Sequence, residues 1–149
     1  MRIIASGTFD HLHAGHEVFL RAAFAQGYVL IGLSGDSLLA GKREHERIES
    51  YEQRKEALVS WLAKEGHRPG TDYEIRRIVT PLGFACEERE ADAILVTSEN
   101  EGVAHAINQE RAYLGNAPLK IVYCDLLCDE EGKISSTRIR KSLSSKKAP

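Results

Sequence analysis

A chain of 149 residues, 42% apolar and 28% charged, has the size and balance of one soluble domain with its own core. Its 20 basic and 22 acidic side chains are unevenly placed: six bases and no acid lie from Lys133 onward, so residues 1–132 carry 14 bases against 22 acids, a charge of -8. An acidic body with a short cationic end excludes a general nucleic-acid coat, and no apolar run approaches the ~20 residues of a membrane span.

Cys86, Cys124 and Cys128 lack the spacing of a zinc knuckle or a CxxC pair, so core or strand-end thiols in a reducing compartment are expected. Met1–Ser6 holds too short an apolar run for a secretory leader. The expected location is the cytoplasm.

Along the chain, short apolar runs alternate with helical periodicity. Ile3–Ala5 reads as a strand and Ala14–Gln26 as a helix with Val18, Phe19, Ala22 and Ala23 on one face, stopped by Gly27. Tyr28–Leu33 is the next strand, and the charged Lys42–Glu49 stretch a loop. Ser50 and Gln53 have capping-box spacing and open a helix whose inner face is Leu58, Trp61 and Leu62, ended by Gly66. Strands follow at Tyr73–Val79 and Ala93–Thr97, a helix at Val103–Leu114, and a last strand at Leu119–Tyr123. Ser136–Leu143 reads as a final helix, with Ile139 and Leu143 four apart, and residues 144–149 as a frayed basic tail. Strands separated by helices need crossover connections. The expected fold is therefore α/β: a single Rossmann-like, doubly wound domain over residues 1–143, with a mainly parallel five-stranded sheet. Ligands of such sheets sit beyond the carboxyl ends of the strands, which directs attention to the loops after Ala5, Leu33, Thr97 and Tyr123.

The first of these loops runs from Gly7 to His16 and holds three histidines within six residues. His13 and His16 share a helix face, Gly15 leaves room between them, and Gly7 is expected to let the chain turn. Free amides at a helix start favour a phosphate, and two imidazoles beside it can donate hydrogen bonds to a pentacoordinate phosphorus. A plain surface turn is the competing reading. A His-x-His-x-x-His zinc site is another, although no acidic or Cys partner lies at helical spacing. Walker A and GxGxxG patterns are absent. A second anion cradle is available at Ser135, Ser136 and Thr137, three hydroxyls at a helix start followed by Arg138 and Arg140; a simple Ser N-cap on an exposed basic helix is the alternative. Arg111 falls on one face with Val103, Ile107 and Leu114, as either a salt-bridged cation or one reaching a ligand. Arg54 offers the same choice between a substrate-side cation and an exposed helix partner.

Gly-Thr-Phe-Asp at 7–10, His-x-Gly-His at 13–16 and Ile-Ser-Ser-Thr-x-Ile-Arg at 134–140 resemble the nucleotidyltransferase superfamily marked by the HxGH motif. The chain is most similar to the phosphopantetheine adenylyltransferases of archaeal/eukaryotic type, from Ile3 to about Leu143. Further matching segments are Lys42…Glu49-Ser50-Tyr51-Glu52-Gln53-Arg54, Val96-Thr97-Ser98-Glu99 and Ile107-Asn108…Arg111. The resemblance implies transfer of AMP from ATP to 4′-phosphopantetheine, giving dephospho-coenzyme A and pyrophosphate, without an enzyme nucleophile. His16 would stabilise the transition state, and His13 would bind the triphosphate. Thr8 would lie between acceptor phosphate and ATP. Gly7 and the backbone of Phe9 would contact the nucleotide. Ser135, Ser136 and Thr137 would hold the β- and γ-phosphates, Arg140 would assist the departing charge, and Arg111 would belong to the ATP side. Lys42 and Arg54 would face the acceptor. Mg²⁺ would arrive on the triphosphate, held by substrate oxygens and water, with no protein metal site. Expected partners are ATP, 4′-phosphopantetheine and, with self-association left open, further copies of the chain; nucleic acid and membrane are not among them. The alternatives are a related transferase acting on FMN, nicotinamide mononucleotide or glycerol 3-phosphate, and a non-catalytic nucleotide-binding module. Two departures from the family pattern stand out: Ser6 where a second Gly is common, and a Thr80-Pro81-Leu82-Gly83 loop without an acidic neighbour.

Overall fold

A computed structural model describes residues 1–39, 48–98 and 100–124. The inner strands form where the sequence is apolar in a run, because they are covered on both faces, whereas the edge strand from Tyr73 alternates apolar and charged residues. The strands are β1 (Arg2–Gly7), β2 (Tyr28–Ser34), β3 (Tyr73–Ile78), β4 (Ala93–Val96) and β5 (Lys120–Tyr123), and they lie in the order β3-β2-β1-β4-β5 with every pairing parallel. The helices are α1 (Ala14–Phe24), α2 (Asp36–Leu39), α3 (Tyr51–Lys64) and α4 (Glu101–Tyr113). No helix among the described residues is long and apolar enough to cross a membrane.

Alternation along each strand divides the core in two. Ile3, Ala5, Val29, Ile31 and Leu33 pack with Phe19 and Leu20 of α1 and Leu58 and Leu62 of α3. Ile4, Leu30, Ile94 and Val96 point the other way, onto Ala104 and Ile107 of α4. Helices thus cover both faces, and the sheet is all-parallel with the five expected strands. From β1 the chain winds outward through β2 and β3, then returns to β4 and β5 on the other side of β1. The carboxyl ends of β1 and β4 therefore frame the crevice where strand order reverses.

Local details depart from expectation where tertiary contacts intervene. Helix α1 stops at Phe24, two residues before Gln26, and Gly27 at φ +141° carries the chain into β2. A side chain at position 27 would stand 2.2 Å from the Met1 carbonyl, so glycine is required there. The capping box of α3 forms: Ser50 Oγ accepts from the Gln53 amide at 3.2 Å, and Gln53 Oε1 from the Ser50 amide at 2.9 Å. Helix α4 buries Ala104, Ile107 and Arg111, whereas Val103 and Leu114, placed on that face from the sequence, are exposed. The single-turn α2 escaped the sequence reading because four residues carry too little periodicity to register.

Candidate functional site

The loop from β1 to α1 does not turn at Gly7. Gly7 ends the strand, and the left-handed residues are Phe9 (φ +49°) and His11 (φ +46°). Gly7 instead makes room for the Phe9 ring, whose carbons lie 3.3–3.4 Å from where a Cβ would sit. A left-handed phenylalanine costs about 1–2 kcal/mol, and burial of its ring against Phe19 and His16 offsets that strain.

The two histidines of the HxGH motif cap the helix they begin. His13 is the N-cap of α1, and its Nδ1 accepts from the Gly15 amide at 3.1 Å; His16 Nδ1 accepts from the His13 amide at 3.2 Å. An imidazole that accepts at Nδ1 must, when neutral, carry its proton on Nε2. Backbone capping thus sets both rings in the same tautomer, and both present an Nε2–H donor. The rings stack with centroids 3.8 Å apart and planes 21° apart. His16 has its pKa lowered to about 4, first by burial and then by the adjacent His13, with Asp10 acting in the opposite direction. Near neutral pH it is a hydrogen-bond donor without a charge. The position, at a helix N-terminus over the reversal of strand order, is suited to a phosphate.

A second layer of contacts holds this loop. The Glu49 amide donates to Asp10 Oδ1 at 2.8 Å, and the His11 amide to Glu49 Oε1 at 3.0 Å. Asp10, His11 and Glu49 also bring one side-chain donor atom each to within 4.8 Å of one another. Beneath them lies Arg54, with 0% of its surface exposed. Its Nε donates to the Glu49 carbonyl (2.8 Å), Nη1 to the carbonyls of Thr8 (3.0 Å) and Ser34 (2.7 Å), and Nη2 to Asp36 Oδ1 (3.1 Å). This corrects both sequence readings of Arg54: it is neither an exposed helix partner nor open to an acceptor. The signal was available, since Arg54, Leu58 and Leu62 fall four apart on the buried stripe of α3.

Arg111 is also corrected. It lies ten residues into α4, about 15 Å along the axis from the end that adjoins the crevice. There its Nε donates to the Ala117 carbonyl (2.7 Å) and Nη1 to those of Ala85 (2.7 Å) and Glu88 (2.8 Å). At 2% exposure it ties together the segments that lead into β4 and β5, at the opposite end of the strands from the histidine pair. Its partners are carbonyls, not the carboxylate the salt-bridge reading required.

Phe9 meets His16 edge-on with ring centroids 5.4 Å apart, and the Thr8 carbonyl accepts from Arg54. An apolar hollow of about 60 Å³ opens at the same end of the sheet, lined among others by Ser6, Ile78, Pro81, Leu82, Val96 and Asn100. Ser6 is accommodated by its β2 neighbour: the two residues are in register, and a Cβ on Gly32 would lie 2.6 Å from Ser6 Oγ. Lys42, Ser135, Ser136, Thr137 and Arg140 lie outside the described residues, as do the segments expected to form a final helix and a basic tail.

The sequence profile described as cytidylyltransferase-like matches residues 4–142. Phosphopantetheine adenylyltransferase of Thermococcus gammatolerans is 39% identical over 144 residues, covering 95% of this chain and 89% of the relative. That of Methanosarcina mazei is 38% identical, covering 94% and 90%. Among solved structures, a protein of unknown function from Archaeoglobus fulgidus superposes with a TM-score of 0.74 at 27% identity, over 93% of this chain and 96% of that one.

Proposed function

The chain belongs to the cytidylyltransferase-like family, and from that premise we propose that it transfers the adenylyl group of ATP to 4′-phosphopantetheine, releasing pyrophosphate and giving dephospho-coenzyme A. The observation that carries the reading is the reciprocal imidazole cap, which leaves the Nε2 of both rings as a donor at one helix start. In the reaction, a phosphate oxygen of the acceptor attacks the α-phosphorus in line. The new O–P bond forms as the bond to the β-phosphate breaks, and the pair of electrons leaves with pyrophosphate. His16 donates to the α-phosphoryl oxygens, where charge builds up, and His13 to the neighbouring triphosphate. Thr8 and the Phe9 backbone position the two substrates. Ser135, Ser136, Thr137 and Arg140 receive the β- and γ-phosphates, and Lys42 the acceptor phosphate.

ATP is taken as its magnesium complex. Asp10 and Glu49 accept backbone hydrogen bonds from each other's segments and so act as loop ties in this reading, with the ion on triphosphate oxygens and water. The apolar hollow beside Ser6 suits the uncharged arm of the acceptor. The buried thiol of Cys86, without a disulfide partner, favours the reducing cytoplasm as the setting.

Pyrophosphate release from ATP or CTP, each offered with 4′-phosphopantetheine, FMN, nicotinamide mononucleotide and glycerol 3-phosphate, tests the assignment. ATP with 4′-phosphopantetheine is expected to be the best pair; preference for CTP with glycerol 3-phosphate overturns it.

A further inference from the structure

Arg54 has no room to touch a substrate, yet it is the point where the elements around the site converge. Its partners lie on the loop after β1 (Thr8), the end of β2 (Ser34), the start of α2 (Asp36) and the residue two before α3 (Glu49). Three of the four are carbonyls, and the one carboxylate, Asp36, is 62% exposed. Burying a guanidinium against neutral acceptors is a costly way to join elements, because apolar residues of similar volume hold a core at least as well. The contact that distinguishes the arrangement is the one to Thr8. In a trans peptide the C=O and the following N–H point in opposite directions. Drawing the Thr8 carbonyl onto Nη1 therefore turns the Phe9 N–H away from Arg54. That N–H has no hydrogen-bond partner among the described residues, and Phe9 itself is held at φ +49°.

We propose that Arg54 is a positioning residue for adenylyl transfer: it orients the Thr8–Phe9 peptide so that the Phe9 amide is presented, beside the histidine pair, to a phosphoryl oxygen. This rests on the function proposed above. The Thr8 hydroxyl is carried on the same peptide, so its placement depends on the same contact.

The test is a double-mutant cycle between Arg54→Lys and Thr8→Ala, read as kcat/KM for folded protein. Lysine keeps the charge but cannot reach Glu49, Thr8 and Ser34 together. R54K is expected to lose tenfold or more, chiefly in kcat, and Thr8→Ala is expected to cost much less in R54K than in the wild type, since the hydroxyl is already misplaced. Arg111→Lys is the comparison: it breaks the same kind of carbonyl contacts far from the site, and should lower Tm with activity within about twofold. Multiplicative effects of R54K and Thr8→Ala, or an R54K enzyme as active as Arg111→Lys, overturn the proposal. Should R54K not fold, Arg54→Gln carries the same cycle. If the wild type transfers nothing, the functional reading fails, and the Phe9 amide resonance still decides this inference. MgATP is expected to shift it in the wild type and not in R54K; equal shifts overturn it.

Discussion

At the residue scale, the chemistry depends on where two protons sit. His13 and His16 each use Nδ1 to cap a backbone amide, so neither needs charge to donate from Nε2. His16→Ala should depress kcat by 10²-fold or more with little change in ATP affinity, a split that steady-state kinetics with equilibrium binding resolves. The lowered pKa of His16 has a second consequence. A group whose folded pKa lies near 4 against 6.5 unfolded contributes stability that is fully present above about pH 6.5 and is lost as pH falls toward 4. Thermal melts between pH 7 and 4 should show Tm falling, with a shallower fall in His16→Ala; equal slopes would place the His16 pKa near its ordinary value. Spacing alone showed that the two rings share a face. It did not show the tautomers, which depend on a cap geometry seen only once the Phe9 and His11 turns are in place.

At the scale of elements, the loop after β1 is held from below by neighbouring strands and by the start of α3. The capping box of Ser50 and Gln53 was legible because it is a local, four-residue pattern, and Ser50→Ala should cost about 1 kcal/mol of stability, measured by denaturant melts. Arg54 and Arg111 were not legible as clasps, because all but one of their partners, Asp36, are backbone carbonyls whose positions no sequence pattern encodes. The Ser6–Gly32 pair is similar: the serine looked like an isolated departure until the register of β1 and β2 set it against a glycine. Gly32→Ala should destabilise by about 1–3 kcal/mol through the clash with Ser6 Oγ and Ile78, and Ser6→Gly in the same background should recover part of that loss. Strictly additive effects of the two changes would show that Ser6 is not the obstacle.

For the whole molecule, alternation of apolar runs with helical stretches made the parallel five-stranded sheet and its ligand-bearing end legible in the sequence, whereas the strand order β3-β2-β1-β4-β5 came only with the structure. Among the described residues, the crevice brings together segments far apart in the chain: the loop after β1 and the hollow beside Ser6, lined from β3 through α4. Such a site brings an acceptor phosphate to the α-phosphorus of ATP, which distinguishes it from a kinase that transfers the terminal phosphoryl group. Incubating the enzyme with 4′-phosphopantetheine and ATP labelled at either the α- or the γ-phosphorus tests this directly. The expected result is α-label in dephospho-coenzyme A and γ-label in pyrophosphate; γ-label in the acceptor, or no product from either, contradicts adenylyl transfer.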